Sequence, residues 1–271
     1  MPRLVLVTGG SGGIGSAVAA RFVAAGDDVV ITGRDAGRLA RAAEATGARP
    51  VRCDMALPDD VAGLVAGLDR PVDVVVGMAG GNTDFDRSAG RTADSASTRT
   101  TTGSTADSGT TAAGDTEPAH VARRLADTAD AWRANLDANL IGTVLTVEAA
   151  LPAMPDGGSI ITVGSIGAEY AGSSYGVAKA AVQAWTAGLS ARVGPRGITA
   201  NCIAPGFVDE TDYFRGRLSD ERRERLIAAT HDKRAGVPAD VAGLAWFLAS
   251  PGARHVTGQT LHVNGGAHTT R

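Results

Sequence analysis

In Tyr175-Gly176-Val177-Ala178-Lys179 a phenol and an ammonium stand four residues apart. On a helix beginning near Ser173 that spacing puts both groups on one face. There the cation can lower the phenol's pKa, so that the tyrosine exchanges a proton near neutral pH, and the same ammonium can hydrogen-bond a ribose. The composition sharpens the signal. The chain has three Tyr, and of its 26 Lys+Arg only Lys179 and Lys233 are lysines. Random placement would produce a Tyr-x-x-x-Lys about 2% of the time. A guanidinium cannot replace a compact ammonium at such a site, so a chain biased toward Arg that keeps Lys here points to chemistry rather than to a surface helix pair.

A second constellation lies near the start. Leu4–Thr8 reads as a strand and runs into Thr8-Gly9-Gly10-Ser11-Gly12-Gly13-Ile14-Gly15, followed by a helical pattern. A strand, a glycine-rich turn and a helix N-terminus make a diphosphate site, because glycines let the backbone approach the ligand and free N–H groups point at it. The next strand ends in Gly33-Arg34-Asp35. An acid at the strand end would bind the ribose hydroxyls of NAD, whereas a guanidinium holds the 2′-phosphate of NADP. Arg34 favours NADP(H) over NAD(H). Asp35 is either that acid placed late or a helix cap.

The elements that must position these groups alternate. Strands are expected at Leu4–Thr8, Asp28–Thr32, Pro50–Cys53, Val72–Met78, Ser159–Val163, Thr199–Ile203 and Thr260–Val263. Helices are expected at Gly13–Ala25, Ala36–Thr46, Pro58–Leu68, Pro118–Leu151, Ser173–Val193 and Pro238–Ala249. This rhythm predicts an α/β fold, a doubly wound parallel sheet of the Rossmann type in three layers. At roughly 150 residues per domain the 271 residues allow one large domain or two small ones. Residues 86–116 lack Val, Ile, Leu, Met and aromatic side chains. A low-complexity, disordered insertion at about 84–117 leaves a single domain, since such a segment cannot bury enough apolar surface to offset its ordering entropy.

Composition excludes other classes. Hydrophobic residues make up 44% and the net charge is -3, with no basic run to track a phosphate backbone, so nucleic acid is not an expected partner. Cys53 and Cys202 are single and far apart, and the five His show no pair at ligand spacing, so no metal is expected. No stretch of about 18 apolar residues runs together, and a soluble, cytoplasmic chain without membrane contact is expected. Arg215, Arg217, Arg222, Arg223 and Arg225 fall in a helical stretch between Asp212 and Ala229 and read as a solvated face with internal ion pairs.

Taken together, these residues resemble the short-chain dehydrogenase/reductase family, nearest its 3-oxoacyl-carrier-protein reductase and polyketide ketoreductase members. The resemblance rests on Thr8-Gly9-x-x-x-Gly13-x-Gly15, Asp54, Asn139-Leu140-Ile141-Gly142, Ser165, Tyr175-x-x-x-Lys179, Pro205-Gly206 and Thr257-Gly258-Gln259…Asn264-Gly265-Gly266. It implies a catalytic tetrad of Asn139, Ser165, Tyr175 and Lys179. Tyr175 would give a proton to a carbonyl oxygen that Ser165 hydrogen-bonds, Lys179 would bind the nicotinamide ribose, and Asn139 would hold a relay water. Cofactor contacts are implied at Thr8, Gly9, Ser11, Gly13, Ile14, Gly15, Arg34, Asp54, Met55, Ala79, Gly80, Tyr175, Lys179, Pro205, Gly206 and Val208.

Two departures stand out. The fourth strand ends Gly77-Met78-Ala79-Gly80 where the family usually has Asn-Asn-Ala-Gly, which leaves this turn to backbone groups. Ser165 and Tyr175 are ten residues apart, a short connection that predicts an open mouth, while Ser173 or Ser174 is expected to cap the helix. The resemblance implies NADPH-dependent reduction of a ketone to an alcohol, on a small-molecule or carrier-bound acyl or polyketide-like substrate. The arginines after Pro205-Gly206 could then meet a carrier phosphate. It also implies a homo-oligomer, tetramer or dimer, with the Ala-rich helices 118–151 and 173–193 packing between subunits. The rivals are an NAD-dependent alcohol dehydrogenase of the same family and a non-catalytic NADP-sensing interaction protein.

Overall fold

A computed structural model describes residues 2–85 and 117–270. The expected insertion at 86–116 lies outside the described residues. Asp84, Phe85 and Glu117, at the ends of the stretch expected at about 84–117, are described.

The strands are β1 (Leu4–Thr8), β2 (Asp28–Gly33), β3 (Arg49–Arg52), β4 (Val74–Gly77), β5 (Ser159–Val163), β6 (Thr199–Pro205) and β7 (Thr260–Val263). They form one parallel sheet in the order β3-β2-β1-β4-β5-β6-β7. The order reverses at β1 and β4, and in such sheets ligands bind beyond the carboxyl ends of the strands at that point. The helices are α1 (Gly13–Ala24), α2 (Ala36–Thr46), α3 (Pro58–Ala66), α4 (Glu117–Leu136), α5 (Gly142–Ala150), α6 (Gly167–Tyr170), α7 (Ser174–Val193), α8 (Asp220–Ala228) and α9 (Pro238–Leu248).

The near-continuous apolar run of β1 shows why both faces are covered. Val5 and Val7 point into one core with Val18, Phe22 and Ile31, while Leu4 and Leu6 point into the other with Val75, Val147 and Leu189. Period-2 alternation therefore divides one strand between two hydrophobic layers. Each fully buried Leu, Val or Phe contributes about 1.5–3 kcal/mol relative to exposure.

Beyond shifts of one or two residues at element ends, such as β4 at Val74–Gly77 in place of Val72–Met78, three features depart from expectation. β6 continues past Ile203 to Pro205, because β7 pairs with it as far as Pro205 opposite Val263. A four-residue helix, α6, fills the connection between Ser165 and Tyr175. The single helix expected over Pro118–Leu151 is broken by a π-helical turn, Asp137–Ile141, whose wider winding carries Asn139. Such turns inside helices occur often at functional sites.

Candidate active site

The first half of the site is backbone. β1 ends at Thr8 and Gly9 turns with φ +67°, in the left-handed region that favours glycine. A Cβ on Gly9 would lie 2.9 Å from the Ala79 backbone, and one on Gly15 would lie 2.3 Å from the Gly9 carbonyl oxygen, so the turn closes only without side chains. α1 starts at Gly13 with no side-chain cap and no acidic residue in its first turn. Its leading N–H groups thus form a cradle for an anion, as a diphosphate requires.

α2 starts differently. The Asp35 carboxylate accepts from the Arg38 N–H at 2.8 Å, and that bond holds its pKa below the usual carboxylate value. Asp35 is therefore a cap. Gly33 leaves room for Ser11, since a Cβ there would lie 2.7 Å from Ser11 Oγ. Arg34 is exposed, and its carbonyl accepts from Arg52 Nε at 3.1 Å. Arg34, Arg52 and Asp54 line a groove of about 730 Å³ along the β3 edge, away from Tyr175. Met55 is buried, with Thr32 Oγ1 3.5 Å from its sulfur.

The turn without asparagines is held from outside, which corrects the expectation that backbone groups alone would support it. Thr8 Oγ1 accepts from the N–H groups of Met78 and Ala79, each at 3.0 Å. Asn139 takes the next step: its Oδ1 accepts from Gly81 N at 3.1 Å and its Nδ2 donates to the Gly81 carbonyl at 3.0 Å. Gly80, at φ +130°, leaves the room for this, because a Cβ there would lie 2.4 Å from Asn139 Oδ1. The side chains of Thr8 and Asn139 are thus engaged in shaping the cleft. Asn139 Nδ2 also donates to Asn135 O at 3.0 Å, which leaves its carboxamide a poor holder for a relay water.

The second half of the site is made of side chains. Ser173 caps α7 by accepting from Gly176 N at 3.1 Å, while Ser174 accepts from Asn135 Nδ2 at 2.8 Å. Neither takes the place of Ser165, whose hydroxyl accepts from Gly167 N at 3.0 Å and opposes the rise in the pKa of Tyr175. Tyr175 and Lys179 are 8% and 5% exposed, so both sit in a low-dielectric wall. Lys179 Nζ donates to the Val163 carbonyl at 2.9 Å and lies 5.8 Å from the centre of the Tyr175 ring. Burial brings the Lys179 pKa down to about 8.

The direction expected for Tyr175 is reversed. Burial raises its pKa, and the neighbouring Ser165 and Tyr213 hydroxyls only oppose that rise. The physical reason is that the ammonium is engaged by the Val163 carbonyl rather than by the phenol.

Around the mouth, Pro205, Gly206 and Val208 lead from β6 into a covering segment. Gly206 N donates to Val263 O at 2.9 Å, and buried Val208 bridges Gly236. Glu210 and Arg215, both non-glycine residues with positive φ, bracket a 3-10 turn at Asp212–Phe214. A Cβ on Gly13 would meet the Glu210 carbonyl at 3.0 Å, so this segment lies over the start of α1. Arg38 pairs with Asp212 at 2.7 Å and ties the segment to α2. Arg223 pairs with Asp209, and Arg222 lies 5.3 Å from the Phe214 ring.

Sequence reasoning missed Tyr213. Its ring centre is 5.7 Å from that of Tyr175, the two phenols act on each other's pKa, and Phe85 and Phe214 both pack edge-on against it. The scarcity of tyrosine was the available signal. The fold also gathers Glu169, His262 and His268, with one ligand atom from each within 4.8 Å of the others. Among the described residues no helix is long and apolar enough to cross a membrane, and Cys53 and Cys202 are free and buried.

Comparison with known proteins agrees with this geometry. The family model described as enoyl-(acyl carrier protein) reductase matches residues 96–268, and that described as short chain dehydrogenase matches residues 3–101. An oxidoreductase of Mycobacterium tuberculosis is 34% identical, with 97% of each chain covered. The 3-oxoacyl-[acyl-carrier-protein] reductase FabG of Vibrio harveyi is 30% identical over 98% of this chain and 97% of its own. A short chain dehydrogenase from Burkholderia cenocepacia, solved in complex with NADP, superposes with a TM-score of 0.72 at 30% identity, covering 98% of this chain and 97% of that one. A Rossmann-type sheet, a glycine cradle at its switch point and the Ser165, Tyr175 and Lys179 cluster beside it accompany these matches, and the chain belongs to the short-chain dehydrogenase/reductase family of NAD(P)-dependent oxidoreductases.

Proposed function

We propose that the protein reduces a ketone to an alcohol with NADPH, with Tyr175 as general acid. The observation that carries the reading is the buried Tyr175 with Lys179 buried on the same helix face and Ser165 beside the phenol. The uncapped start of α1, with Gly9, Ser11, Gly13, Ile14 and Gly15, would receive the cofactor diphosphate. Arg34 would hold a 2′-phosphate, and Asp54, Met55, Ala79 and Gly80 would flank the adenosine side. The capping role of Asp35 supports NADP(H) over NAD(H), because the one acid near that strand end is turned to the Arg38 N–H. When bound, the nicotinamide supplies the hydride.

The chain's own groups manage the proton. Tyr175, held protonated by burial, donates to the substrate oxygen, and Ser165 hydrogen-bonds that oxygen. Lys179 binds the nicotinamide ribose and restores the proton to Tyr175. Asn139 acts by clamping Gly81 and so keeps the cleft floor in shape. Tyr213, with its ring centre 5.7 Å from that of Tyr175, would line the path by which a carbonyl reaches the acid. The aromatic surround of Phe85, Tyr213 and Phe214 suits an acyl or polyketide-like ketone, small or carrier-bound. A homo-oligomer is part of the reading: Leu125 and Trp132 on α4 are 65% and 42% exposed, apolar groups that a second subunit would cover.

A panel of acyl thioesters, cyclic ketones and aromatic polyketide mimics, followed by NADPH oxidation and repeated with NADH, tests the proposal. Turnover of at least one ketone with NADPH preferred is expected. Equal or better use of NADH overturns the role of Arg34, and unchanged turnover in Tyr175→Phe overturns the acid.

A further inference from the structure

We infer that Glu169, His262 and His268 form a binding site for a divalent transition-metal cation of the zinc class. The three residues come from α6, β7 and the tail after it, so only the fold unites them. Each carboxylate oxygen faces a different imidazole: Oε1 lies 3.8 Å from His262 Nε2 and Oε2 lies 3.6 Å from His268 Nε2. These separations are too long for hydrogen bonds. They are close to the spacing of two ligands on one tetrahedral cation, about 3.4 Å for metal–ligand bonds of about 2.1 Å. Two imidazoles and one carboxylate are a zinc ligand set that leaves a fourth position for water.

The surroundings hold the ligands in place. Gln183 Nε2 donates to Glu169 Oε1 at 3.4 Å. Asn264 Nδ2 donates to the His268 carbonyl at 2.9 Å, and Asn264 Oδ1 accepts from Gly266 N at 2.9 Å, so one side chain folds the tail back toward β7. The two imidazole rings are 5.2 Å apart, centre to centre. A cation here would tie the helix between Ser165 and Tyr175 to the sheet edge. The inference does not depend on the carbonyl-reductase reading, since none of the three residues belongs to that machinery.

The test uses the full chain after EDTA treatment, titrated with zinc against a competing fluorescent chelator, with cobalt(II) absorption as a second readout. One zinc per chain is expected, with cobalt d–d bands of a low-coordinate nitrogen and oxygen site. The midpoint of thermal unfolding should rise by about 5–10 °C when free zinc is a hundredfold above its dissociation constant. Glu169→Gln, at an exposed position, should weaken zinc at least tenfold, and His262→Asn with His268→Asn should abolish it. Melting of each variant in EDTA reports its folding separately. Sub-stoichiometric zinc, an unmoved melting point, or undiminished binding in Glu169→Gln or in the double variant overturns the site.

Discussion

The two halves of the molecule face one cleft by opposite means. From β1 to α1 the anion cradle is backbone: Gly9 and Gly15 admit no side chain, and α1 begins with its N–H groups free of any cap. From β5 to β6 the contributions are side chains: Ser165 after β5, and the buried Tyr175 and Lys179 on a helix whose own start is capped by Ser173. The difference teaches where specificity of binding and specificity of chemistry reside. A helix end left open is available to an external anion, whereas a capped one is free to carry reactive groups in its first turns.

Substitutions should separate the halves. The largest effect is expected for Tyr175→Phe, which removes the acid while keeping the ring: turnover should fall by about 10²–10⁴-fold, with cofactor affinity by fluorescence titration unchanged. A parallel loss of cofactor binding would break the division. Gly15→Ala should do the reverse. Its Cβ would lie 2.3 Å from the Gly9 carbonyl, so cofactor binding should be lost, with overpacking costing about 1–3 kcal/mol in denaturant unfolding.

Arg34→Ala should raise the KM for NADPH about 10- to 100-fold through one lost charge-assisted pair, and leave that for NADH unmoved. The pH profile sharpens the second half. Burial places the Lys179 pKa at about 8, down from 10.5. The ammonium is intact below that value and lost above it, so the kcat/KM of ketone reduction should fall as pH rises through about 8. A flat profile from pH 7 to 9 would show that Lys179 does not limit proton return. Ser173→Ala gives the smallest effect, loss of one helix cap at about 1 kcal/mol, read as a small drop in the thermal midpoint with turnover retained.

Much of this was legible in the one-dimensional pattern. The strands were, because continuous apolar runs such as Leu4–Val7 must be covered on both faces. So were the glycine cradle and the Tyr175–Lys179 pair, because each depends on local spacing along one element. Asp35 resisted a single reading until its carboxylate was seen on the Arg38 N–H. The π turn at Asp137–Ile141 was hidden because helical periodicity continues across it, and only the reach of Asn139 to Gly81 shows what the extra residue accomplishes.

Other features were illegible for a different reason. Tyr213 meets Tyr175 through a segment bent at Glu210 and Arg215, and backbone bends at non-glycine residues carry no sequence signature. Glu169 and the two histidines come together from three elements, so spacing between histidines could not reveal them.

By itself, the sequence determined the doubly wound fold, the glycine turn and the Tyr175–Lys179 spacing on which the proposed chemistry rests, all properties of short-range periodicity and residue type. Tertiary structure alone decided their electrical and mechanical state. Burial raised the Tyr175 pKa and lowered that of Lys179, Val163 claimed the ammonium, and Thr8 and Asn139 became supports for a turn that lacks its own side chains. Dielectric environment and hydrogen-bond partners belong to neighbours distant in the chain, and only folding supplies them.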